Sequence, residues 1–311
     1  MSRKLKSLVF MAFCVFLTMP GSAEDKKPFW SRFSLKFTAG WGARIPIGDV
    51  NDCLKSFNYN KVFEFHREHE TGRVVGEIKT LDDRISHWEA ELRFDLTRRI
   101  SLGIATSAPI HKLNESSVTY TILGWAGPQI MTWTFRPEIK VSYPIRLSAY
   151  YTLPIIRRLS ISIGGGMGFY PAELRQRLRF DEIVPAGDIF WSTWNQEAKR
   201  NPALAFHWNA LLQYSPTNRV ALIAEVQKRH IKIGGFEGTL KSVDEHGQGF
   251  EKNGTLYYFT EWNYFIGTRH ASLEMGPEIY YWPYRWIQDA REAKLDLSGY
   301  SIRMGISIRV F

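Results

Sequence analysis

Cysteine, long apolar runs and low-complexity tracts are all scarce in this sequence, and each scarcity excludes something. Two cysteines occur among 311 residues. Cys14 falls inside a stretch that reads as an export signal: Arg3, Lys4 and Lys6 form a charged start, Leu8 to Met19 an apolar run, and Gly21-Ser22-Ala23 a small-residue cleavage site. Residues 1–23 are therefore expected to be removed, and Phe13 is a poor neighbour for a lipidated cysteine. Cys53 is then the single thiol of the remaining 24–311, which excludes an internal disulfide and a cysteine-based zinc cluster. The apolar start is too short to cross a bilayer as a helix, and no later segment approaches the roughly twenty apolar residues that a spanning helix needs. There is no clear internal repeat and no linker to a second domain, so a peptidoglycan-binding domain, a plug or an energy-coupling box is not expected.

Charge of one sign is also never concentrated. Removing Arg3, Lys4 and Lys6 from the 40 Lys and Arg leaves 37 against 31 Asp and Glu, a net charge of +6. The basic residues alternate along the chain rather than forming a stripe with stacking aromatics, which argues against a nucleic-acid partner.

What is present is alternation. From Tyr300 to Phe311, Ile302, Met304, Ile306, Ile308 and Val310 interleave with Ser301, Arg303, Gly305, Ser307 and Arg309. Period 2 puts the two sets on opposite faces of a strand. A buried sheet face is not lined with arginines, and a soluble edge does not face five large aliphatics outward, so one face is expected to meet lipid and the other a wet interior. The same pattern recurs at Phe33–Ile45, Trp88–Leu96, Ile100–Ile104, Ile139–Leu153, Leu159–Phe169, Leu204–Tyr214 and Val220–Val226. Long connections at about 47–85, 112–136, 171–202 and 233–295 alternate with short turns. That asymmetry predicts an all-β, antiparallel up-and-down transmembrane barrel of eight strands with large outer loops. Ten strands are the alternative, because Leu256 to Ile266 also alternates and a further strand could run through Ile279 and Tyr281. Pro144 falls on the inner face of the fourth strand and demands a bulge there.

The last strand resembles the C-terminal assembly signal of bacterial outer-membrane barrels, carried here by Arg303, Gly305, Ile308, Val310 and Phe311, with Phe311 one position past that frame. In architecture the whole exported chain resembles the small eight-stranded outer-membrane barrels of the OmpA, OmpX and OmpW types. The resemblance implies the outer membrane of a Gram-negative-type bacterium, lipid and lipopolysaccharide as surroundings, and the barrel-assembly machinery as a partner. Members of that group are anchors, adhesins, narrow channels or enzymes, so the resemblance does not select a function.

The inward positions collect Lys36, Arg44, Arg93, Lys140, Arg146, Arg229, Arg303 and Arg309 against Glu89, Glu91, Asp95, Glu138 and Glu225. Unpaired buried charge costs several kcal/mol, and an eight-stranded barrel is only just wide enough for its own side chains, so these groups are expected to pair into a polar plug. A narrow conduit with a cationic, anion-favouring lining is the alternative. Gly164, Gly166 and Gly168 alternate within a strand without a following helix, so they are expected to make room for a lumenal aromatic such as Tyr150 rather than to hold phosphate.

No cofactor or metal is implied. His66 and His69 could hold a metal if their loop were helical, but no third ligand is identifiable. His111 and His230 near the strand tops are the candidates for a rim hydrolase, without partners at a diagnostic spacing. Cys53 reads as a tolerated thiol. The fourth loop is crowded with aromatics, among them Tyr257, Tyr258, Trp262, Tyr280, Trp282 and Trp286, which either pack the loop on itself or form a recognition surface for an extracellular ligand. Arg175, Arg177 and Arg179 could reach lipopolysaccharide phosphates or simply line a solvated strand. The expected function is a non-enzymatic barrel displaying these loops.

Overall fold

The computed structural model describes residues 29–42, 45–68, 72–124, 126–263, 268–276 and 286–310. The expected signal segment 1–23, Arg44, His69, Tyr280, Trp282 and Phe311 lie outside the described residues. The elements in order are β1 (Phe33–Gly42), α1 (Asp49–Glu68), β2 (Arg73–Gly76), β3 (Ser86–Asp95), β4 (Ile100–Ser107), β5 (Ile110–Leu113), β6 (Ser116–Gly124), β7 (Gly127–Val141), β8 (Ile145–Ile156) and β9 (Leu159–Ile183). They continue with β10 (Ile189–Tyr214), β11 (Val220–His230), β12 (Lys232–Ile233), β13 (Glu237–Asp244), β14 (Gly249–Asn263), β15 (Thr268–Gly276), β16 (Trp286–Glu292), β17 (Leu295–Asp296) and β18 (Gly299–Arg309).

Eight of these strands close on themselves in the order β1, β3, β4, β8, β9, β10, β11, β18, every pair antiparallel. They are the eight that the alternation singled out. The ladder between β1 and β18 joins the two ends of the barrel, pairing Leu35 with Ile308 and Trp41 with Ile302. Side-chain direction follows the period-2 rule: Lys36, Glu89, Glu91, Arg146, Glu225 and Arg303 are buried, while Phe37, Trp88, Ile145, Trp208 and Met304 face outward. The ten-strand alternative fails because β14 and β15 pair with each other and join the wall through β13, outside the closed ring.

Above the ring the wall continues. β9 and β10 have 25 and 26 residues. At ~3.3 Å per residue each reaches ~80 Å, well beyond the roughly 9–11 residues that suffice to cross a bilayer. Their upper halves pair with each other and with β7 on one side and β13 on the other, so the described parts of the four expected loops are folded structure rather than solvated chain. The first carries α1, whose Val50, Cys53, Leu54 and Phe57 lie at helical spacing and turn toward an apolar core with Ile78, Leu81, Phe135, Ile139, Ile231, Phe236 and Leu256. Polar side chains fix the helix in place. Asn51 donates to the Leu81 carbonyl at 3.2 Å and accepts from its N–H at 2.9 Å. The Ser56 hydroxyl accepts from the Ala271 N–H at 2.7 Å. Asp49 accepts twice from Arg291, at 2.5 and 2.7 Å, and from the Lys294 N–H at 2.7 Å.

One expected strand is corrected. The alternation from Ile139 to Leu153 is two strands, broken at Ser142-Tyr143-Pro144 where the proline has no N–H to give a ladder. The break shifts the face: Ile139 and Val141 are fully buried in β7, whereas Ile145 and Leu147 are exposed in β8. Lys140 and Glu138 consequently do not belong to the lumen. Lys140 is exposed, and Glu138 sits above the barrel, 2.7 Å from His111.

Asp49→Ala should loosen the fourth loop from the helix at a cost of about 1–3 kcal/mol, because a buried carboxylate with charged partners is lost. Limited proteolysis should then cut within 245–295 faster than in the parent, while the heat-modifiable migration of the barrel is unchanged. Loss of that migration would show that α1 is required for the barrel itself.

Candidate functional site: a charged layer across the barrel

The register decides which charges meet. Lys36 of β1 pairs directly with Glu91 of β3, and Glu225 of β11 directly with Arg303 of β18. Because the barrel is narrow, the side chains also reach across it. Lys36 contacts Glu91, Glu225 at 3.1 Å and Glu89 at 3.5 Å. Arg303 bridges Glu89 and Glu225, and Arg146 of β8 joins Glu89. Arg93 donates through Nε to Glu91 at 3.3 Å and lies over the Tyr150 ring at 4.0 Å.

Neutral groups complete the layer. The Tyr150 hydroxyl donates to Glu91 at 3.0 Å and accepts from Asn209 at 3.1 Å, whose carbonyl oxygen takes the Gln227 amide at 2.9 Å. Tyr150 is seated against Gly164, its partner in register, where any Cβ would enter the ring. Of the alternating glycines of β9, Gly164 thus makes room for Tyr150, whereas Gly166 lies against the Leu147 backbone and Gly168 against the side chains of Arg146 and Tyr170. The sequence reading named Tyr150 but missed Ser148, His207, Asn209 and Gln227, although all four stand at inward positions of their strands. Arg303 is 0% and Lys36 1% exposed, so this layer excludes solvent.

Among the described residues inside the barrel, five buried cations, Lys36, Arg93, Arg146, Arg229 and Arg303, face three buried carboxylates, Glu89, Glu91 and Glu225. Arg229 is the one left over: its Nε and Nη2 have no hydrogen-bond partner. At the short-turn mouth, Arg309 and Asp95 stand 3.9 Å apart and are only partly buried, so they border the layer rather than join it.

The other candidates separate. The Ser148 hydroxyl and His207 Nε2 are 2.8 Å apart and buried, which is the spacing of a nucleophile and its base, but His207 Nδ1 has no partner to orient it. His111 is an exposed partner of Glu138. His66 lies on α1, so its segment is helical, but no group of three metal-ligating side chains occurs among the described residues. Burial pushes the Cys53 thiol up to about 12, which makes it inert. Of the loop aromatics, Tyr258 packs under the Arg291 guanidinium at 4.5 Å, and Trp262 and Trp286 belong to β14 and β16. Arg175 and Arg179 are neutralised locally, by Glu173 at 2.6 Å and by Asp181 at 2.8 Å. No family model matches the chain, and no curated protein matches it in sequence.

Arg303→Met should cost about 3 kcal/mol or more, since it removes a shared partner of two buried carboxylates, whereas Arg229→Met should be neutral or stabilising. Urea unfolding of the refolded protein distinguishes them, and equal losses would contradict the pairing. A second outcome concerns the thiol: at about pH 8 iodoacetamide should leave Cys53 untouched in the folded protein and label it on denaturation, as read by mass spectrometry.

Proposed function

We propose that this protein is an outer-membrane β-barrel that is closed by its salt-bridged interior and carries a folded β-rich structure above the membrane, without a catalytic role. The observation behind the membrane reading is a belt of large apolar side chains around the ring, with Trp41 81%, Met304 70%, Trp208 68% and Ile302 63% exposed. Water would penalise such a belt on a monomer, while the hydrocarbon of a bilayer would not. No helix among the described residues is long and apolar enough to cross a membrane, so the strands would have to do so. The terminal strand signature supports insertion by the barrel-assembly machinery, and lipopolysaccharide would surround the upper wall. The buried charged layer supports a plugged lumen over a conduit, and the folded upper wall supports a surface-interaction or envelope-integrity role.

The cationic surplus in the lumen favours, as second reading, a narrow anion-preferring channel. Planar-bilayer recording of the refolded protein separates the two. Electrical silence is the expected result. Steady openings whose selectivity changes in Arg303→Gln would establish the conduit instead. The membrane reading has its own check: Ile306→Arg, near the centre of β18, should cost about 2–4 kcal/mol and impair assembly into vesicles. Unchanged assembly would remove the lipid-facing assignment.

A further inference from the structure

The short-turn end of the barrel holds a cavity of about 370 Å³. Six arginines line it, Arg93, Arg98, Arg157, Arg158, Arg219 and Arg309, against one carboxylate, Asp95. They come from separate places in the chain: Arg93 from β3, Arg98 from the β3–β4 turn, Arg157 and Arg158 from the β8–β9 turn, Arg219 from the β10–β11 turn and Arg309 from β18. Hydroxyls and amides make up much of the remaining wall, including Ser101, Ser160, Thr217 and Gln213. Arg93 forms part of the inner wall, next to the charged layer. It is 6% exposed, its Nε is committed to Glu91, and its Nη2 has no partner at all.

We propose that this vestibule is a binding site for a multiply charged phosphate group. With Arg93 held by Glu91 and Arg309 standing 3.9 Å from Asp95, the lining still carries a surplus of guanidinium charge that suits an anion of more than one charge, and the planar fork of arginine matches phosphate oxygens in pairs. The hydroxyls and amides donate to the remaining oxygens. The cavity is wider than one phosphate, so it takes a pyrophosphate or a phosphate on a small organic body. Two sources share this chemistry, a soluble phosphate compound and the headgroup of an anionic phospholipid reaching over the rim. The site rests on the closed barrel alone and not on the membrane reading, because detergent-refolded protein presents the same cavity.

Inorganic pyrophosphate is the probe, titrated calorimetrically into the protein refolded in an uncharged detergent. Saturable binding that weakens with added salt is expected. The double variant R157Q/R158Q, confined to a turn, should weaken it roughly tenfold or more, and R93Q should do the same from the inner wall. Absence of binding in the parent, or affinity unchanged in both variants, overturns the proposal. The turn variant keeps the test decisive if R93Q fails to fold. The source is read by repeating the titration in vesicles of phosphatidylcholine, alone and mixed with phosphatidylglycerol. Competition by phosphatidylglycerol assigns the site to a lipid headgroup, and undiminished pyrophosphate binding assigns it to a soluble phosphate. Failure to enter vesicles at all would count against the membrane reading and leave the detergent titration standing.

Discussion

Everything in the lower half of this molecule depends on pairing three carboxylates where water does not reach. Glu89, Glu91 and Glu225 are each almost fully buried, and each is held by at least two cations or donors from other strands. Such groups tolerate little misplacement, because attraction offsets desolvation only at close range and with the remaining lone pairs satisfied. The layer therefore acts on register. Sliding β18 by one residue against β11 would turn Arg303 outward and bring Ile302 or Met304 into the charged interior. Lys36 adds a constraint across β18, since it reaches from β1 to Glu225 on β11 at 3.1 Å. The charges at the junction of the two chain ends thus favour one closure of the barrel over its slipped alternatives.

The eight barrel strands were legible in the sequence because their two faces meet opposite environments. Alternation is then enforced at every position, as in Ile302 to Val310. Above the ring the signal was weaker for a physical reason. Strands such as β7 face apolar core on one side and solvent on the other, and they continue barrel strands whose polarity is reversed, so Ile139 to Leu153 reads as a single run although it breaks at Pro144. The helix had a readable signature: Val50, Cys53, Leu54 and Phe57 follow the helical interval, with Asp49 and Asp52 in the first turn. It was hidden by the polarity of the stretch as a whole. The neutral members of the charged layer were hidden differently. Asn209 and Gln227 meet only through the ladder between β10 and β11, and no local pattern encodes that register.

Glycine placement shows how narrow the interior is. Gly164 leaves space for the Tyr150 ring, and a Cβ at Gly103 would enter the Glu91 carboxylate. The barrel accommodates its large polar side chains by omitting side chains opposite them. A wider barrel would not require this, and would leave water between the charges. Such complementary small and large positions fill the interior at this level.

The outer face of β9 links the fold to its surroundings. Ile161, Ile163 and Phe169 are exposed there, and farther along the same face come Glu173, Arg175, Arg177 and Arg179. Parity along β9 does not change between the two sets, so no bulge or break turns one face away and another outward. β10 makes the same passage from Trp208, Phe206 and Leu204 to Lys199 and Glu197, with a register shift at Arg200/Ala203 that puts Ala198 and Gln196 on the buried side of the upper wall. When one face of a continuous strand passes from aliphatic to charged, and the inside passes from charged to aliphatic at the same height, neither propensity nor local packing accounts for both changes. A change of medium outside the wall, as the proposed membrane reading has it, would account for the outer change. Under the proposed membrane reading that boundary is the outer edge of the hydrocarbon, and the ion pairs of Arg175, Lys199 and Glu197 stand in water above it.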